Sequence, residues 1–456
     1  MSDSWAPAAR SAEARALYAA ADADRSARPE RYSLDTESLL ARALGDDDPA
    51  VLGDGDWREG FSKYLDSAAE DGGLNALGAR MVADTAVGRL RARRALERHL
   101  SVYPSVRERP IRAPIVITGG WRTGTTFLFR LLAADARLRA LLPAELSAPW
   151  RFAGLDSQAR EAALDAAAGA HSLLHLLSPE LAVVHDSGAR LPEECVLAMG
   201  TDFRNWGFPS TTRLDGYAAW LASQSFRSAY RRYREILQML DDGRRFVLKA
   251  PAHCAELASL VEAFPDAMVV HLHRDIVETI ASGASLFAVF RSTYSDSVDP
   301  RDVGRYQTEQ TALWLDRTLA FRDGPEARGS GARFVDLDYR ALVAEPLTAV
   351  RRIYDMAGLE LGPEARESLA RHRAREPAAR ARRAPLRAGA VRPRPARAAR
   401  AVRPLRVPLR TQLTAGASAS GSSKISCSAY SGISSWKVVA CGSFSACRRT
   451  SSMFST

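Results

Sequence analysis

The chain has 456 residues, 46% of them apolar and 25% charged, with a formal net charge of +10. That length is enough to bury a full core and to hold two or three domains. No stretch approaches the roughly 18 consecutive apolar residues of a membrane span, and the first 30 residues are Ala-, Asp- and Arg-rich without an apolar core, so neither a spanning helix nor a secretory leader is expected and a cytoplasmic location is. The net charge is unevenly placed. Eighteen of the 63 Lys and Arg, but one of the 53 Asp and Glu, lie from Arg371 onward. The body before Arg371 is therefore mildly acidic and the basicity belongs to the tail.

In chain order, residues 1–33 read as weakly ordered. Residues 34–112 read as a helical region, with helices at Leu34 to Leu44, Trp57 to Asp66 and about Leu74 to Leu100, apolar at helical spacing. Next comes the most informative segment, Pro114-Ile-Val-Ile-Thr-Gly-Gly-Trp-Arg-Thr-Gly-Thr-Thr126. Ile115 to Ile117 predict a buried parallel strand, Gly119, Gly120 and Gly124 permit a tight turn, and a helix follows from Phe127 to Ala134. The amides of Thr123 to Thr126 would then open a helix toward an anion. A nucleotide-triphosphatase loop would place Lys after the second glycine, but Thr125 stands there and the cation comes earlier, at Arg122.

Segments Trp150 to Ser178 and Asp215 to Leu240 read as further helices. The aromatic residues Trp206, Phe208, Tyr217 and Trp220 suit either an apolar acceptor pocket or core packing. Phe246-Val-Leu-Lys249 is a strand, followed by a short helix and a second strand that ends at Arg274; Arg333 to Tyr339 is another strand with a polar end. Cys195 and Cys254, the two cysteines of the body, lack metal-ligand spacing and read as buried thiols. The domain expectation is thus an α/β body over residues 113–370 after the helical region, and a low-complexity tail over 371–456 without helix or strand periodicity. Either that tail is a basic arm for a polyanion such as nucleic acid, or it is the product of a shifted reading frame.

The loop Arg122-Thr123-Gly124-Thr125-Thr126 resembles the [KR]-[ST]-G-T-[ST] element of sulfotransferases that use 3′-phosphoadenosine 5′-phosphosulfate (PAPS). Lys249 before Pro251, the Phe264-Pro-Asp-Ala267 connection, and Arg274 followed eight residues later by Ser282 are similar to further elements of that family. The likeness covers roughly residues 35–370. It is nearest to bacterial sulfotransferase family 3-like proteins and, in motif layout, to tyrosylprotein sulfotransferases. It implies a P-loop-like α/β fold with a central parallel sheet of about five strands flanked by helices. It further implies that Thr123 to Thr126 hold the 5′-phosphosulfate, that Arg274 and Ser282 hold the 3′-phosphate, and that Tyr339 lies by the adenine.

Sulfuryl transfer moves a highly charged group between two oxygens, so positioning and charge stabilisation dominate. Arg122 and Lys249, at the ends of strands expected side by side, are assigned to the sulfuryl group and the departing oxygen. Lys249 is one of four lysines in the chain. The acceptor hydroxyl needs a base. Glu145 follows the cradle helix at about the interval of the catalytic Glu in tyrosylprotein sulfotransferases and is the first choice; His253 lies near the position of the cytosolic enzymes' His; His185 and Glu194 form a third polar cluster. The expected reaction is in-line, metal-free transfer to a small-molecule, lipid or glycan hydroxyl. A nucleotide kinase or hydrolase with Asp275 as metal ligand is the competing enzyme class, and a polyanion-binding protein led by the tail is the competing non-enzymatic one.

Overall fold

A computed structural model describes residues 6–168, 173–185 and 187–375. The tail over 376–456 lies outside the described residues. Four helices precede the sheet: α1 (Ala12–Ala27), α2 (Thr36–Leu44), α3 (Arg58–Asp71) and α4 (Ala76–Val102). Then follow β1 (Ile115–Gly119), α5 (Thr125–Ala133), β2 (Leu138–Arg139), α6 (Pro143–Ser147), α7 (Ser157–Ala167), α8 (Leu173–Leu177), α9 (Pro179–Val184), α10 (Phe208–Thr211), α11 (Asp215–Leu221) and α12 (Arg227–Met239). The chain continues through β3 (Arg245–Lys249), α13 (Leu257–Ala263), β4 (Met268–His273), α14 (Ile276–Tyr294), α15 (Pro300–Asp323), α16 (Pro325–Gly329), β5 (Arg333–Asp338), α17 (Tyr339–Ala344), α18 (Pro346–Ala357) and α19 (Pro363–Arg375).

Among the described residues the five strands form one sheet in the order β2-β3-β1-β4-β5, every neighbouring pair parallel. A parallel sheet needs cover on both faces, which is why β1 is apolar at consecutive rather than alternate positions. Side chains alternate between two cores. Val116, Phe246, Leu248 and Val269 pack with the N-terminal helices and α11 to α13. Ile115, Ile117, Val247, Val270 and Leu272 face the other way, against Leu128 and Leu132 of α5 and Val350 and Ile353 of α18. The expected α/β fold with five parallel strands and a helical N-terminal extension is the fold observed.

Two local readings differ, and one left open is decided. Ala12–Ala27, expected to be weakly ordered, is a helix capped by Ser11, whose side chain accepts the Ala14 N–H; buried Tyr18 donates to the Thr293 carbonyl at the end of α14 at 2.8 Å. A single aromatic anchor and a cap thus order a segment whose composition alone looks unfavourable. The last helix continues past Arg371 to Arg375. The aromatic residues Trp206, Phe208, Tyr217 and Trp220 are all buried in the first core, with Tyr64 and Phe208 ring centroids 4.9 Å apart and Tyr217 and Trp220 5.6 Å apart, so they are packing residues rather than a pocket wall. Cys195 and Cys254 are buried free thiols, as expected.

Candidate active site

The turn between β1 and α5 is built by backbone conformations that few residues tolerate. Gly119 has φ 149°, and a Cβ there would lie 2.5 Å from the Leu272 carbonyl oxygen of the neighbouring strand. Gly124 has φ 89° at the start of α5, with Tyr339 carbons 3.0 and 3.2 Å from where its Cβ would be. Arg122 adopts φ 64°, a left-handed conformation uncommon for a residue with a side chain and often held where function needs it. Gly124 offers no side-chain cap, so the first amides of α5 keep their donors and the positive end of the helix dipole faces the loop.

Three cations converge on this turn. Ile117 pairs with Lys249 across β1 and β3, which brings Lys249 under the start of α5. Its side chain is fully buried; Nζ donates to Glu194 Oε1 at 2.7 Å and to Thr126 Oγ1 at 3.3 Å, and it stands 5.8 Å from the Phe129 ring centroid. Arg274, just beyond β4, donates through Nη1 to the Arg122 carbonyl at 2.8 Å, stacks over the Tyr339 ring at 4.7 Å, and contacts Glu278 with Nε and Nη2 at 3.1 and 3.0 Å. Removal from water and then the nearby Arg274 charge push Arg122 below its usual pKa range. Crowded guanidinium groups of this kind favour a multiply charged anion. Ser282 lies two turns into α14, half-buried.

The four base candidates divide sharply. Glu145 is fully buried on α6, where Oε1 accepts from Arg139 Nη2 at 2.6 Å and Arg160 Nε at 2.8 Å while Oε2 accepts the Leu142 N–H at 2.9 Å. Burial works to raise its pKa, but the Arg160 hydrogen bond and Arg139 charge outweigh it and leave the carboxyl below its ordinary value. A carboxylate so engaged serves as an anchor in this arrangement, and these contacts would have to loosen before it could take a proton from an acceptor. His253 is likewise engaged in the core. It is buried beside Tyr230, whose hydroxyl lies 2.6 Å from Nδ1, and burial lowers its pKa to about 3.

Glu194, by contrast, reaches the cationic turn, and His185 lies within range of its charges. Glu194 holds Lys249 as described. His185 caps α9, with Nε2 3.8 Å from Glu193 Oε2 and its ring 5.6 Å from that of Phe290. Burial lowers its pKa; Glu193 and Glu194 oppose that shift, whereas Lys249 and Arg122 add to it. The imidazole is therefore held neutral near pH 7, the form that accepts a proton. Asp275 is the N-cap of α14, its Oδ1 accepting the Glu278 N–H at 2.9 Å, a local duty that explains it without a metal.

Glu278 was passed over in the sequence, although its spacing four residues after Arg274 on a helix was a readable signal of contact. A cavity of about 50 Å³ lies behind the loop, lined by Gly120, Trp121, Thr123, His271, His273 and Arg274. It has room for a water or two rather than a nucleotide. His271, His273 and Asp336 present ligand atoms within 4.8 Å of one another there. However, Arg322 forks the Asp336 carboxylate at 2.6 and 2.7 Å and His273 Nε2 is 2.6 Å from the same group, so the cluster closes on itself, with a guanidinium charge set against any added cation.

A parallel α/β sheet with a glycine turn at the carboxyl end of its central strand, and with buried and stacked cations around that turn, has the arrangement suited to a multiply charged anion. Comparison with known proteins is specific: the sulfotransferase family profile matches residues 114–363. The chain belongs to the sulfotransferase family. It is 26% identical over 264 residues to omega-hydroxy-beta-dihydromenaquinone-9 sulfotransferase Stf3 of Mycobacterium bovis and of Mycobacterium tuberculosis, a match that takes in 54% of this chain and 63% of each relative's length. Among solved structures it resembles sulfotransferase STF1 from Mycobacterium tuberculosis, with TM-score 0.66, 30% identity, 74% of this chain and 92% of that one covered. It also resembles sulfotransferase STF9 from Mycobacterium avium, with TM-score 0.65, 26% identity, and coverage of 75% and 88%.

Proposed function

We propose that the protein transfers the sulfuryl group of PAPS to the hydroxyl of an apolar acceptor. The observation that carries the reading is Lys249, fully buried at the end of β3 yet aimed between Thr126 of the cradle and Glu194. In an in-line transfer the acceptor oxygen bonds to sulfur as the bridging sulfur–oxygen bond breaks, and the electron pair stays on the departing phosphate oxygen. Lys249 and Arg122 balance the charge that grows there, the α5 amides hold the 5′-phosphate, and Arg274, Ser282 and Tyr339 take the 3′-phosphoadenosine end. His185 accepts the acceptor's proton, with the Glu193 carboxylate beside it to steady the imidazolium. The apolar character of the acceptor is supported by Phe290 against His185 and by Trp121 packed 4.9 Å from Phe287. A lipid hydroxyl fits this wall and agrees with the substrate in the names of the mycobacterial relatives. No described helix is long and apolar enough to cross a membrane. The family match offers no support for the nucleotide-kinase alternative.

Calorimetric titration with 3′-phosphoadenosine 5′-phosphate is the direct test. Binding is expected, weakened about ten- to a hundredfold by Arg274→Ala, the range for losing charge-assisted hydrogen bonds to a phosphate. A preference for ATP with magnesium would overturn the reading. The role of His185 predicts a pH signature. Because its pKa is lowered from 6.5, the neutral base persists below that value, and kcat/KM should fall only as the pH drops through the depressed pKa. His185→Ala should remove this acidic limb and lower kcat/KM by about a hundredfold or more; a limb that survives the substitution would assign the proton to another group.

A further inference from the structure

Among the described residues, Glu194 and Glu278 sit on cations that the nucleotide is to use. Glu194 on Lys249 belongs to the reaction site; Glu278 on Arg274 does not, and its placement is specific. The same Glu278 Oε2 accepts from both Nε and Nη2 of Arg274, at 3.1 and 3.0 Å, which is the face of the guanidinium that would meet phosphate oxygens. Its other oxygen, Oε1, lies 3.8 Å from Nη2 of Arg340, the residue after Tyr339 at the start of α17. Arg274 is held from its other sides by the Arg122 carbonyl and the Tyr339 ring, so it stays in place while Glu278, half exposed on the first turn of α14, is the partner that can move.

We propose that Glu278 is an internal stand-in for the 3′-phosphate: it occupies the Arg274 fork when the nucleotide is absent and is handed to Arg340 when the 3′-phosphate arrives. This rests on the reading of Arg274 as the 3′-phosphate ligand. The consequence is selectivity. A nucleotide without a 3′-phosphate gains nothing by displacing Glu278 and meets an Arg274 already satisfied, whereas a 3′-phosphate dianion outcompetes a single carboxylate for the fork. Arg340 makes that exchange possible by giving the displaced charge a partner; without it Glu278 would be left beside the incoming dianion.

The test measures binding of 3′-phosphoadenosine 5′-phosphate and of adenosine 5′-monophosphate to the full chain, to Glu278→Gln, to Arg340→Ala and to the double variant, at one ionic strength. Glu278→Gln is expected to bind the bisphosphate about fivefold more tightly, the upper range for an exposed ion pair, with the monophosphate unchanged. Arg340→Ala is expected to bind the bisphosphate about threefold more weakly, and that loss should vanish in the double variant. An equal gain for both nucleotides, or none, would overturn the stand-in; an Arg340→Ala loss that persists in the double variant, or no loss at all, would overturn the handover. Failure of every variant to bind the bisphosphate would remove the reading of the site itself, a result distinct from wild-type binding that Glu278→Gln leaves unaltered.

Discussion

Replacing Lys249 by Met is expected to lower kcat about a thousandfold, the magnitude associated with losing a preorganised group that stabilises transition-state charge. An ammonium has three donors, and the contacts to Glu194 Oε1 and Thr126 Oγ1 account for two of them. The third can meet the oxygen on which negative charge develops as sulfur departs. That interaction strengthens as the bond breaks, so its loss should appear in kcat more than in the affinity for 3′-phosphoadenosine 5′-phosphate, for which the proposed site has Arg274 and the α5 amides as well. The side chain is fully buried, so Met keeps its volume while removing its charge. Turnover would be read as nucleotide product formed from PAPS with the best acceptor from a panel of phenols, primary alcohols and polyprenyl alcohols. Ellipticity of the variant would show that the fold survives. A kcat within tenfold of the parent would exclude Lys249 from the chemistry.

Glu145→Ala should instead unfold the protein readily, with a loss of about 3–5 kcal/mol, the cost of breaking a buried ion pair by removing one partner. Arg139, itself buried, and Arg160 would both lose their shared carboxylate, and the Leu142 amide its acceptor. Chemical denaturation would measure the loss. Activity separates this role from catalysis: Glu145→Gln, which retains an acceptor oxygen, should cost less stability and keep kcat per folded molecule within about tenfold, whereas a general base would lose about a hundredfold or more. The pH dependence has a definite sign. The folded-state pKa is depressed below the ordinary 4.5, so the stabilisation is present above that value and is lost as the pH falls through the folded pKa.

These two residues show how far the sequence could be followed. Lys249 was legible because strand and turn chemistry are local. Three apolar residues, Phe246 to Leu248, before a break place the Lys at a strand end, and parallel pairing of β3 with β1 then sets it beside the cradle. The interval from the cradle helix to Glu145 was equally legible, but spacing along the chain does not tell which way a side chain turns. Arg139, six residues before it, and Arg160, fifteen after it, claim both its position and its charge. The same holds for His253: the 3₁₀ turn Pro251–Glu256 that follows Lys249 carries its imidazole to Tyr230 in the core.

Periodicity and composition by themselves pointed to the helical region, to a buried parallel strand and to the glycine turn with its Arg122, since each rests on a local pattern that admits few backbone paths, whereas the five-stranded sheet and the singling out of Lys249 and Arg274 came with the resemblance to sulfotransferases. Only the tertiary structure decided which carboxylates and histidines face the anion site. Glu194 stands 55 residues before Lys249 in the chain and is brought to it by a loop, while α14 and α17 set Glu278 between Arg274 and Arg340. Contacts across such separations depend on how helices close over a sheet, a property of the packed whole that no window of residues contains.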